Sequence, residues 1–167
     1  MQILLSSRPL PAGTAARPSK YAPCEVWRGA KYYQGYRSPN DAERKQNGVS
    51  LAWLHHKGRN KHHFEYWLDY SLDSDKSIEG MKMPLNYAVE MFLDRVAAGK
   101  IYNGDAFTPD GPLKYYEKGH AKTLLHPKTR ELLEFLLHMY AEKGEKATFS
   151  YIKMEILAKK DWNDYNN

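Results

Sequence analysis

Lys128-Thr129-Arg130-Glu131-Leu132-Leu133-Glu134-Phe135-Leu136-Leu137-His138-Met139-Tyr140-Ala141-Glu142-Lys143 carries the plainest structural signal in the chain. Leu132, Leu133, Leu136, Leu137 and Tyr140 recur at three- and four-residue spacing, which predicts an amphipathic helix over 128–143. Gly144 is its expected stop. The same period continues outward. Phe149, Ile152, Ile156 and Leu157 predict a last helix over about 145–161. Upstream, Pro84 suits a first helical turn, opening a helix to about 100 with Tyr87, Met91, Val96 and Ala97 available for burial. A short helix is expected near 112–119, after the turn pair Asp110-Gly111. Ser50 is a good N-cap for a helix to about Arg59, and a second helix is expected over about 61–70, with Phe64, Trp67 and Leu68 packing. Val26, Trp27, Ala30 and Tyr33 predict a helix over 24–35. Residues 37–48 and 71–83 read as polar loops, and no stretch reads as a strand. The sum is an all-α, single-domain bundle of six or seven helices over 24–162, with a short tail at 163–167.

Composition sets outer bounds. At 167 residues and 42% hydrophobic, the chain is long and apolar enough for a buried core. Its net charge of +5 is compatible with an anionic partner and diagnoses none, since the basic residues are scattered. The one cysteine, Cys24, excludes an internal disulfide and a cysteine-based zinc site. A reducing, cytoplasmic setting is the corresponding expectation. No apolar run approaches the ~20 residues that span a bilayer, so no membrane partner is expected. Four prolines between residues 9 and 23 predict an extended or disordered stretch over 1–23.

The chemistry concentrates elsewhere. Four of the seven histidines lie in His55-His56-Lys57-Gly58-Arg59-Asn60-Lys61-His62-His63-Phe64-Glu65-Tyr66-Trp67. Imidazole is the commonest transition-metal ligand, so His55, His56, His62 and His63 are candidate ligands for a divalent ion such as Zn, Mn, Fe or Mg. Glu65 is a candidate ligand, orienting group or general base. Asp94, on the 84–100 helix with Glu90 one turn earlier, is the candidate carboxylate from outside the segment. Lys57, Arg59, Lys61 and Arg95 surround the cluster, and Lys57 and Arg59 are candidate phosphate-holding residues. The plainer alternatives are histidine pairs on a polar surface and a structural Asp94-Arg95 ion pair. His120, His126 and His138 are isolated and receive no role. No nucleotide cofactor is indicated.

Several motifs together resemble an uncharacterised bacterial family, domain of unknown function 5662. They are Trp27-Arg28-Gly29-Ala30-Lys31-Tyr32-Tyr33-Gln34-Gly35, Arg37-Ser38-Pro39-Asn40, the double-histidine segment, Gly80-Met81-Lys82-Met83-Pro84, Asp94-Arg95-Val96-Ala97-Ala98 and Glu142-Lys143-Gly144-Glu145. The resemblance spans roughly residues 19–158 and carries no established activity. The family's usual opening, His-Asp, two intervening residues and then Lys-Tyr-Ser-Pro, is in turn similar to HD-type metal-dependent phosphohydrolases. In those helical enzymes further histidines and a later Asp complete the metal site. His62-His63-x-Glu65 and then Asp94 follow that order. That resemblance implies water activated by metal for attack on a phosphate ester or nucleotide.

This chain departs from the pattern where the His-Asp pair belongs. Lys20-Tyr21-Ala22-Pro23 matches Lys-Tyr-Ser-Pro, and Ala16-Arg17 then stands in the His-Asp position. The expectation is an incomplete metal site with weak or absent activity, and residues 1–18 read as sequence unrelated to the family body. The competing expectation is a non-catalytic helical module for nucleic acid or protein, with Tyr32, Tyr33, Tyr36 and Trp53 available for stacking. Oligomeric state is left open.

Overall fold

The computed structural model describes residues 22–35, 38–119, 123–159 and 161–162. The expectations for residues 1–21 and 163–167 lie outside them. The chain clusters into two compact units, Met1–Lys61 and His62–Asn167.

Three helices form the described part of the first unit. Helix α1, Pro23–Lys31, begins with proline in its first turn, where the missing amide hydrogen is not needed. It stops at Tyr32, short of the expected Gly35. Helix α2, Pro39–Asn47, occupies what the sequence suggests is a polar loop. Pro39 again supplies a preset first turn, an Asp41–Lys45 pair at 2.9 Å supports one face, and Gly48 ends the helix at φ 76°. An apolar period could not reveal α2, because the side chain it buries is Glu43. Helix α3, Leu51–Lys57, is capped as expected: Ser50 Oγ accepts from the Trp53 amide at 3.1 Å. It buries Ala52 and His56, and Leu51 and Leu54 face out.

The second unit begins with the largest correction. The expected helix over 61–70 is instead a 3₁₀ turn, Phe64–Trp67, followed by strand β1, Leu68–Tyr70. Strand β2, Ile78–Gly80, pairs with it antiparallel, with Leu68 opposite Gly80 and Tyr70 opposite Ile78. Three-residue strands are too short for an alternating pattern to be visible in sequence. Gly80 sits where a Cβ would run into the Leu124 carbonyl, so the backbone approach there requires glycine.

Three helices complete this unit. Helix α4, Leu85–Asn103, follows Pro84, with Met91 and Val96 buried as expected and Ala97 exposed. Helix α5 is Gly111–Glu117. Helix α6, Pro127–Tyr151, buries Leu132, Leu133, Leu136, Leu137 and Tyr140, the face read from the sequence. It is bent at Gly144 (φ 73°, ψ −178°) and passes into a wide π turn, Ile152–Ile156. The core joins α4 and α6 around Phe92, Leu133 and Leu136, each fully buried. Trp162 Nε1 donates to the Met83 carbonyl at 2.7 Å, fastening the end of the described chain to the start of α4.

The described residues are therefore mostly helical, with one small two-stranded sheet. Among them no helix is long and apolar enough to cross a membrane.

Candidate metal-binding histidine segment

In the first unit, Glu25 organises the earlier histidine pair. Its position on α1 places one carboxylate against two consecutive imidazoles of α3. His55 Nδ1 lies 2.6 Å from Glu25 Oε1 and His56 Nδ1 lies 3.2 Å from Glu25 Oε2. An ionised carboxylate only accepts, so it favours a ring proton on the imidazole nitrogen that faces it. A neutral ring protonated there has its lone pair on Nε2, an atom that can ligate a metal. Asn60 adds a second influence on His56. Its Nδ2 donates to the His56 carbonyl at 2.7 Å and lies 3.1 Å from His56 Nδ1. Trp53 stacks on the His56 ring at a centroid distance of 5.7 Å.

A charged network underlies this arrangement. Arg28 Nη1 contacts Glu43 Oε1 at 2.7 Å, and Ser50 Oγ donates to Glu43 Oε2 at 2.7 Å. Burial by itself raises the Glu43 carboxyl. The bonds from Ser50, Arg28 and the Ala52 amide together outweigh it and hold the group below its ordinary value.

In the second unit His62 shows a similar pairing. His62 is 5% exposed, and its Nδ1 lies 3.3 Å from Glu90 Oε1. His63 packs obliquely against it at 4.4 Å between ring centroids. Glu90, one turn before Asp94, is the carboxylate beside His62. Among the described residues, Asp94 is in no group of three closely spaced potential ligands. Asp94 and Glu65 instead stand among the charges around Arg95. Burial pulls the Arg95 guanidinium below its ordinary value, and Tyr116, Asp94 and Glu65 oppose the fall. The guanidinium lies 5.6 Å from the Tyr116 ring centroid. Burial and the bond to Glu134 push the Tyr116 hydroxyl up to about 12.

The remaining candidates separate by exposure. Lys57 is half-buried at the end of α3, and Arg59 and Lys61 are exposed. Tyr32 is buried, with its hydroxyl bonded to Asn47 Nδ2, and Trp53 is half-buried with its ring against His56. Tyr33 is exposed and Tyr36 lies outside the described residues. His126, assigned no role from sequence, caps α6 by accepting from the Lys128 amide at 3.2 Å.

Sequence reasoning missed Glu25 and understated Glu90. Glu25 is thirty residues from His55, and nothing in its neighbourhood marks it out. Glu90 was visible only as a carboxylate one turn before Asp94.

No curated protein and no solved structure matches the chain. A family model described as a family of unknown function (DUF5662) matches residues 18–139, well over half of the chain, and the chain belongs to that family.

Proposed function

We propose that the histidine segment, residues 55–63, binds a divalent transition metal, and that the protein is related in function to HD-type metal-dependent phosphohydrolases. The observation that supports this reading is the repeated carboxylate–imidazole pairing. His55 and His56 turn Nδ1 to Glu25, and His62 turns Nδ1 to Glu90. Backing carboxylates of this kind orient metal-ligating histidines and raise their basicity. Imidazole nitrogens are donors suited to Zn, Fe or Mn more than to Mg.

An ion held there would supply Lewis acidity to activate a water toward a phosphate ester. Lys57 and Arg59 would hold the phosphate oxygens, Arg59 in two-point fashion. Glu65 would accept a proton, if it leaves the charge group around Arg95. Asp94 has less support as a ligand than Glu90 has as an orienting group. The substitution of Ala16-Arg17 for the His-Asp pair implies weak turnover even when metal is bound.

The test is elemental analysis of purified protein after equilibration with zinc or manganese and removal of unbound ion. Wild type should retain metal, and His62→Ala and His63→Ala should lose most of it. Metal near zero in all three proteins would overturn the reading. A phosphate-ester assay on the loaded wild type then tests the hydrolase half separately.

A further inference from the structure

Two side chains make opposite demands on one atom of His56. Glu25 Oε2, 3.2 Å from Nδ1, can only accept and therefore favours a proton on that nitrogen. Asn60 Nδ2, 3.1 Å from the same nitrogen, can only donate and therefore favours a lone pair there. The Asn60 amide cannot be turned round to remove the conflict. Its Nδ2 also donates to the His56 carbonyl at 2.7 Å, a contact that the amide oxygen could not make. The three groups are held firmly. His56 is buried, Asn60 is 2% exposed, and the Glu25 carboxylate is anchored by His55 at 2.6 Å.

We infer that Glu25, in competition with Asn60, sets the tautomer of His56 and so decides whether His56 Nε2 is a lone pair able to take a metal. The last clause rests on the metal reading above, and the tautomer itself does not. A hydrogen bond to a carboxylate is roughly twice as strong as one between neutral groups, so Glu25 prevails and His56 carries its proton on Nδ1. Glu25 is thus a positioning residue that acts through the imidazole. The two histidines differ in a checkable way, because Asn60 contests His56 alone.

Glu25→Gln separates them. Glutamine keeps the volume of Glu25 and offers one accepting oxygen and one donating nitrogen. The oxygen can keep His55 protonated at Nδ1. The nitrogen, together with Asn60, then presents His56 Nδ1 with two donors, and His56 moves its proton to Nε2.

The experiment is ¹⁵N NMR of the imidazole nitrogens in metal-free protein at about pH 8, where an ordinary imidazole is neutral. The expected result is Nδ1–H for both rings in wild type. In Glu25→Gln, His56 should switch to Nε2–H and His55 should stay. A wild-type His56 already protonated at Nε2, or a His56 unchanged in a folded Glu25→Gln protein, overturns the inference. The wild-type spectrum decides the main point even if the variant does not fold. Zinc titration supplies the second arm. Zinc affinity of Glu25→Gln should fall roughly 10–100-fold. Undiminished affinity in a variant whose tautomer has switched overturns the link to metal. Absence of zinc binding in wild type overturns the metal reading and leaves the tautomer result standing.

Discussion

The first unit buries charge and the second buries hydrocarbon. Among the described residues up to Lys61, the buried apolar side chains are Tyr32 and Ala52, against Glu43, Ser50, His56 and Asn60 as buried polar ones. From His62 onward, α4, α6 and their neighbours enclose a continuous apolar cluster that includes Phe92, Leu133, Leu136 and Ile156. The two designs fail differently. An apolar core loses stability in proportion to the volume removed. A polar interior depends on every donor and acceptor being matched, so removal of one partner leaves the other buried and unsatisfied. The polar interior also sets two imidazoles, His55 and His56, against one carboxylate.

The sharpest test of this contrast is Phe92→Ala, which should destabilise by about 3–5 kcal/mol through cavity formation. Urea unfolding would measure it, and a loss below about 1 kcal/mol would show that the α4–α6 core is not packed as described. Next in size is Glu43→Gln, expected to cost roughly 1.5–3 kcal/mol through weakened bonds from Arg28 and Ser50. Its pH signature has a definite sign. The folded-state pKa of Glu43 is depressed, so its contribution is present above the ordinary carboxylate range and is lost as pH falls through the lower folded value. The variant should therefore lose part of the acid limb of the stability–pH curve, and an unchanged limb would remove Glu43 from its role.

Gly144→Ala should cost about 2 kcal/mol, because alanine resists the combination of positive φ and extended ψ at the bend in α6. The expected cost is conformational, since no atom lies within 4 Å of where the new Cβ would sit. A neutral or stabilising result in thermal unfolding would mean that the helix can straighten. The smallest effect belongs to Asp41→Asn, on the solvent side of α2, about 0.2–0.5 kcal/mol and diminished by salt. A loss as large as that of Glu43→Gln would erase the distinction between the buried network and the surface pair beside it.

Legibility from sequence followed the same division. The α6 face was readable because Leu132 to Tyr140 repeat at the helical period and all face one apolar core. Helix α2 was not, because its one buried side chain is an acid whose partner, Arg28, lies fifteen residues away. The hairpin was not, because Leu68–Tyr70 and Ile78–Gly80 are too short to alternate visibly and Tyr70 is exposed. Within the candidate site, His55, His56, His62 and His63 announced themselves by density alone. Asp94 drew attention as a carboxylate in an apolar helix, and it stands among the charges around Arg95.

Residue type and spacing by themselves determined a mostly helical chain, the Ser50 cap, the buried face of α6 and the histidine-rich segment. These are local properties, fixed by period, capping chemistry and composition. Which carboxylate backs His55, His56 and His62 was decided only in three dimensions. Glu25 reaches His55 and His56 because α1 and α3 pack in the first unit, and Glu90 reaches His62 because α4 passes that residue in the second. A hydrogen bond acts over about 3 Å and carries no trace of the sequence distance it bridges, so no spacing rule could have found either partner.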